Sequence, residues 1–363
     1  MEAEEHVIII GAGLFGLTSA IILAEKDFKV TVIEKNYDVM LEATLVNQNR
    51  IHYGYHYPRS LQTGREALDG LEAFKTYYND CLFDGFKKYY GIAKNGSHLT
   101  SAEFSSFCET LGIPLEEEWP DKSLLNHEML DSCWRVYEPV FDYYTLRLNI
   151  MNRIADNRNI RILRNAQVSL IEKFKPRKLR ITLNNGYKLE GSFLINATYS
   201  GLTDILKLLN EEILKAKYQL LVLPILKMEK SVDPFGITIM DGPFCSLVPR
   251  GFSKDEYILS HVVHSVIQSH LGYHKPDWNS FDGMVEMDIV KYASQFYPVL
   301  ENMKLKESWI TTKMILPNQE VDDARPTLLL EHEKNIFSVF SGKITTCVTA
   351  AYQLLDKVNS NLN

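Results

Sequence analysis

The segment from His6 to Glu34 constrains this chain more than any other. His6-Val-Ile-Ile-Ile10 is an unbroken apolar run of strand length, the pattern of a parallel strand covered on both faces. Gly11-Ala-Gly-Leu-Phe-Gly16 follows at once. The spacing predicts an amphipathic helix over Leu17–Glu25, and Lys29-Val-Thr-Val-Ile-Glu34 reads as a second strand. Strand, G-x-G-x-x-G, helix, strand and terminal acid, in that order, define a βαβ unit that binds a dinucleotide. Gly11 permits the tight turn out of the strand. Gly13 leaves room for a pyrophosphate against the backbone, and Gly16 lets helix and strand pack closely. The helix start offers free N–H groups and a positive dipole end. Glu34 is placed to accept from two ribose hydroxyls. The motif alone does not separate NAD from FAD.

The rest of the chain is consistent with a two-domain α/β protein. Its 363 residues exceed what one simple core usually organises. No apolar run approaches the roughly 20 residues of a membrane span, and the acidic start Met1-Glu-Ala-Glu-Glu5 is unlike a signal peptide. A cytoplasmic protein is therefore expected. The net charge of -7 argues against a nucleic-acid partner. Five scattered cysteines (Cys81, Cys108, Cys133, Cys245 and Cys347) form no C-x-x-C pair and offer no zinc site. His261 and His264, read as lying on opposite faces of one strand, argue against another metal site. Oligomeric state is left open.

Apolar spacing predicts helices near 64–78, 142–154, 202–214, 282–296 and 344–358. Asn184-Asn-Gly186 predicts a hairpin turn. Residues 192–198 and 336–340 read as further buried strands, and 218–315 as a mostly antiparallel sheet, with separate strands before and after Pro224. The chain is expected to cross between domains several times. Residues 1–80, 142–215 and 316–363 are assigned to a Rossmann-type domain, and 81–141 and 216–315 to an interleaved antiparallel-sheet (α+β) substrate domain.

Three separated segments together resemble the D-amino-acid oxidase superfamily of FAD-dependent oxidoreductases. They are the N-terminal βαβ unit, Phe193-Leu-Ile-Asn-Ala-Thr198, and Phe340-Ser-Gly-Lys-Ile-Thr-Thr346. Within that superfamily, Gly342-Lys-Ile-Thr-Thr346 and Ile51-His-Tyr-Gly54 look most like glycerol-3-phosphate and L-2-hydroxyglutarate dehydrogenases. Ala324-Arg-Pro326 is similar to an Arg-Pro near the substrate in several members. The chain departs from the pattern at Ser341, where the family usually has glycine, and at Tyr199, where Ala-Thr-Gly is usual. The resemblance covers the Rossmann-type domain and is weaker in the other.

What it implies is FAD as cofactor and a small-molecule substrate that itself reduces the flavin. The expected chemistry is hydride removal from a C–H beside an amine or hydroxyl of a small, anionic compound. FAD contacts are expected from Gly11, Gly13, Leu14, Phe15, Gly16, Glu34, Lys35, Asn47, Arg50, Val168, Ala197, Thr198, Gly342, Lys343, Ile344 and Thr345. Lys343, at a helix start, suits negative charge developing on the flavin; its bland reading is an exposed lysine. His52 is a candidate base or substrate-orienting group, or else a structural histidine beside the ring. Tyr53, His56, Tyr57, Arg250 and Arg325 are candidate substrate contacts. Arg50, Arg59 and Arg325 suit a bidentate anion clamp, or internal salt bridges. Arg325 is grouped with His52 and Lys343 as catalytic. Cys347 is a point of covalent flavin attachment or, more simply, a buried thiol. Two other functions stay open: a flavin-dependent, non-redox sugar mutase, and FAD binding without catalysis. No second G-x-G-x-x-G is present for a nicotinamide cofactor.

Overall fold

A computed structural model describes residues 5–175, 177–278, 285–317 and 326–362. Its first sheet has six strands in the order Leu328–Glu333, Ile336–Phe340, Phe193–Asn196, His6–Ile10, Lys29–Ile33, Ile160–Leu163. All pairings are parallel except the hairpin at the Leu328–Glu333 edge. The run His6–Ile10 shows why a parallel strand is apolar throughout. Val7 and Ile9 face a layer of helices, Leu14–Ala24, Leu61–Tyr78, Tyr143–Ala155 and Cys347–Ser360. Ile8 and Ile10 face a three-stranded sheet, Val168–Lys175, Lys178–Leu183 and Lys188–Gly191. Both faces are dry, so neither accepts a polar residue.

The second sheet carries the strands Val266–Gly272, Ala216–Met228, Glu256–His261, Cys245–Pro249, Phe235–Met240, Lys87–Ala93, Leu130–Val136 and Glu116–Glu117 in that order. Met303–Ile315 pairs along the other edge of Ala216–Met228. This sheet is mixed rather than antiparallel throughout, because Phe235–Met240 runs parallel to Lys87–Ala93. The two strands belong to separate passages of the chain. Between them the chain returns to the first sheet, and so long a crossover permits parallel pairing.

Three further expectations are corrected. Ala216–Met228 is one continuous strand through Pro224. On that edge its partner changes from Val266–Gly272, ending at Leu221, to Glu256–His261, beginning at Ile225. Pro224 falls in the gap, where a missing N–H breaks no ladder bond. The helix from Leu202 ends at Leu209, because Asn210 turns left-handed (φ 58°) and accepts the chain reversal. His261 ends its strand, and the turn after it brings the His264 ring back to 4.4 Å between centroids. The two rings therefore share one side. No group of three or more metal-ligating side chains occurs among the described residues. No described helix is long and apolar enough to cross a membrane.

Candidate active site

The two sheets enclose a cavity of about 310 Å³. The glycine turn, the 43–57 segment, the end of the central strand and the Ser341–Ile344 turn line one side. Leu221 and Leu223 of the long strand, with Thr311, Thr312 and Lys313 of the edge strand, line the other.

The three motif glycines have different reasons for being glycine. A Cβ on Gly16 would stand 2.0 Å from the Gly11 carbonyl oxygen. One on Gly11 would stand 2.6 Å from the Ala197 oxygen, and Gly11 has φ +102°. Packing and backbone therefore require both. A Cβ on Gly13 meets nothing closer than Thr44 Oγ1, at 3.5 Å. The fold tolerates a side chain there, so the open space belongs to the cavity, which Gly13, Leu14 and Phe15 line. Leu14–Ala24 begins with no side-chain cap and no acid in its first turn, so its positive end is left for an anion. Glu34 accepts hydrogen bonds from the N–H groups of Ala12 and Asn36, both 2.9 Å, pinning the turn. Each of its carboxylate oxygens keeps acceptor capacity. These features fit a dinucleotide with its pyrophosphate over Gly13. Asn47 holds the next loop, donating to the carbonyls of Ala43 and Thr44 and accepting from Asn49 N–H.

Beneath the cavity lies a buried charged network. Arg50 Nε donates to Glu138 Oε1 at 2.8 Å, and Arg50 also bonds the Tyr90 hydroxyl. Tyr90 in turn donates to Glu138 Oε2. His52 Nδ1 stands 3.5 Å from the same oxygen. Lys88, 2% exposed, donates to Thr238 Oγ1 at 2.8 Å. Burial, reinforced by Arg50, drives the Lys88 amine well below its usual range. Glu138 is buried too, yet Arg50 and the neighbouring His52 hold its carboxyl well below the usual range. The His52 and His56 rings stack at 5.2 Å, with Tyr57 edge-on to both. His56 Nδ1 has no hydrogen-bond partner among the described residues.

Lys343 is buried rather than an exposed helix-start lysine. Its Nζ lies 3.4 Å from Glu66 and 5.3 Å from the centre of the Tyr57 ring. Together the cavity wall holds Gly13, Leu14, Phe15, Asn47, Arg50, His52, His56, Tyr57, Ala197, Gly342, Lys343 and Ile344 of the expected residues.

Others lie elsewhere. Lys35 is exposed and pairs with Glu42. Val168 is buried in the three-stranded sheet, and the Thr198 hydroxyl donates to Asn196. Thr345 packs on Gly70. Tyr53 stacks on Tyr55 away from the cavity. Arg59 pairs with Asp241. Arg250 does not line this cavity. It is clamped between Glu256 and Glu307 over the Trp309 ring, beside a separate cleft, so two carboxylates already neutralise it. Cys347 is fully buried in the helical layer. Arg325 lies outside the described residues.

Sequence reading missed Glu138, Lys88 and Tyr90, and the wall residues Tyr199, Leu221, Leu223, Thr311, Thr312 and Lys313. One signal was available: Glu138 is a lone acid in a stretch otherwise built for burial, Val136-Tyr-Glu-Pro-Val-Phe141.

The histidines make stability depend on pH. Burial holds both imidazoles below their ordinary value of 6.5, so both are neutral when folded. Unfolded, they take up protons below that pH. Stability is therefore full above about pH 6.5 and falls as the pH drops toward the folded values, by up to about 1.4 kcal/mol per pH unit per ring. The urea midpoint should be lower at pH 5.5 than at 7.5, and His56→Gln should narrow that gap. An equal or higher midpoint at pH 5.5 would mean the rings are charged in the fold.

Comparisons with known proteins agree with this geometry. The family model DAO, described as FAD dependent oxidoreductase, matches residues 6–334. The FAD-dependent monooxygenase FPY4 of Fusarium mangiferae is 22% identical over 97% of this chain and 90% of its own. Glycine oxidase from Geobacillus kaustophilus shares the fold with a TM-score of 0.78 at 12% identity, over 98% of this chain and 95% of its own. L-α-glycerophosphate oxidase from Mycoplasma pneumoniae gives 0.78 at 13%, over 98% and 94%. L-proline dehydrogenase from P. horikoshii gives 0.76 at 13%, over 99% and 94%. The chain belongs to the DAO family of FAD-dependent oxidoreductases.

Proposed function

We propose that this enzyme oxidises a small anionic amine or hydroxy compound at the carbon bearing the nitrogen or oxygen. The observation that carries the proposal is the grouping of Arg50, His52, His56 and Lys343 on one cavity wall, with Glu138 as the buried acid paired to Arg50. Bound FAD supplies the hydride acceptor.

The chain's own residues do the rest. Arg50 and Lys343 place fixed positive charge where an anionic substrate and the electron-rich cofactor gather. His52, neutral near pH 7 because it is buried, is suited to take the proton from the reacting nitrogen or oxygen. Leu221 and Leu223 present an apolar wall opposite, which keeps water from the reacting carbon. Residues 1–80, 142–215 and 316–363 are assigned to holding FAD, and 81–141 with 216–315 to the substrate side. The similar structures are named for glycine, L-proline and L-α-glycerophosphate. Each of these compounds carries an anionic carboxylate or phosphate group and an oxidisable C–N or C–O carbon, which supports the same class here.

The test is product analysis. The FAD-loaded enzyme is incubated with an artificial electron acceptor and a panel of amino acids, N-methyl amino acids, 2-hydroxy acids and glycerol phosphates. A carbonyl or imine-derived product from one class is expected. No oxidised product, with rearrangement of a sugar ring only after pre-reduction, would replace this reading with a mutase.

A further inference from the structure

Tyr199 follows the strand Phe193–Asn196 of the first sheet and lines the cavity. Its φ is +52°, a left-handed conformation that a bulky side chain rarely adopts. Something outside the local backbone must therefore hold it there. The hydroxyl supplies that hold. It accepts from Met314 N–H at 3.1 Å and donates to Met314 C=O at 3.3 Å. Met314 sits on Met303–Ile315, which among the described residues pairs only with Ala216–Met228 and so presents an open edge. Backbone groups on an open edge need partners, and the Tyr199 hydroxyl satisfies a donor and an acceptor of one residue. The residues just before Met314, Thr311 to Lys313, form the cavity wall facing the nucleotide motif. Trp278 steadies the same stretch, donating to Thr312 Oγ1 at 2.8 Å.

We infer that Tyr199 is a positioning and specificity-determining residue: its ring closes one end of the cavity and its hydroxyl pins the substrate wall of the second sheet to the first. The inference rests on the reading that substrate is oxidised in this cavity, and it separates the two parts of the side chain. The ring sets the length of substrate accepted. The hydroxyl sets where Thr311–Lys313 stand.

The experiment compares wild type, Tyr199→Phe and Tyr199→Gly as FAD-loaded full-length proteins. Glycine suits φ +52° better than tyrosine, so that variant is not misfolded by its backbone. Amino and hydroxy acids graded from a methyl to a phenyl side chain are the probes. In Tyr199→Gly, kcat/KM for the longest over the shortest should rise at least about tenfold. In Tyr199→Phe that ratio should stay within about twofold while KM rises for all. The apoprotein of Tyr199→Phe should also unfold about 2–4 °C lower, having lost both bonds to Met314.

A second readout needs no substrate. The rates of flavin reduction by dithionite and by the bulkier benzyl viologen radical are compared. Tyr199→Gly should favour the viologen at least about tenfold relative to wild type. If every graded acid is inert but the viologen ratio rises, the functional reading fails and Tyr199 still closes the cavity. If the variant folds, retains FAD and changes neither ratio by more than about twofold, the inference is overturned.

Discussion

Gly13→Asp should give a folded protein that no longer holds FAD. The structure separates these two outcomes. The new Cβ meets nothing closer than 3.5 Å, so the turn and the helix Leu14–Ala24 keep their shape. The new carboxylate, however, would occupy the mouth of a helix N-terminus that has no acid of its own. It would both neutralise the dipole and oppose the pyrophosphate. Two charges at about 4 Å in a partly screened site repel by roughly 4 kcal/mol, about three orders of magnitude in Kd. Circular dichroism and the thermal midpoint should match wild type, while the ratio of flavin to protein absorbance falls to background. Gly16→Ala is the contrast: its methyl would meet backbone at 2.0 Å, so it should lose stability as well as flavin. Full flavin occupancy in Gly13→Asp would mean that the pyrophosphate does not sit at this turn.

The second large effect belongs to a residue outside any motif. Glu138→Ala removes the acid that balances Arg50 and Lys88 beneath the cavity and stands beside His52. Breaking a buried ion pair by deleting one partner costs about 3–5 kcal/mol, because the other charge stays buried. Arg50 would then lack its 2.8 Å partner and swing toward the cavity or toward water. Stability should fall by that amount in denaturant titration, and flavin affinity should fall with it. Glu138→Gln keeps the shape and should fall in between.

The sign with pH follows from the lowered carboxyl. Glu138 contributes its full stability above its ordinary value of 4.5 and loses it as the pH falls toward the folded value. The two variants should therefore show a shallower acid limb than wild type. An Ala variant as stable as wild type would mean that the network is solvated rather than buried.

These two residues mark what the sequence could and could not disclose. The βαβ unit is local: 29 consecutive residues carry strand, turn, helix, strand and acid, and periodicity alone reads it. The Gly342–Lys343 turn is legible only through its resemblance to a family motif. Glu138 is not, because its partners Arg50 and Tyr90 are 88 and 48 residues away. Only the fold brings a lone acid, a distant cation and a distant hydroxyl together. The second-sheet wall of the cavity is hidden for a further reason. Leu221, Leu223 and Thr311 read as ordinary strand residues, and nothing local says which face meets a cavity. The errors had local causes too. Pro224 marks a strand break unless the partner strands happen to change there, and His261 and His264 share a face because the strand ends between them. Arg250 read as a candidate substrate contact because nothing local shows that Glu256 and Glu307 fold onto it.

In the proposed function a small substrate, and not a nicotinamide, reduces the flavin in this cavity. Anaerobic absorbance of the FAD-loaded protein tests it most directly, during titration with the amino acids, N-methyl amino acids, hydroxy acids and glycerol phosphates named above. One class is expected to bleach the flavin bands to completion, and NADH and NADPH are expected not to. Bleaching by a nicotinamide alone, with every such compound inert, would contradict it.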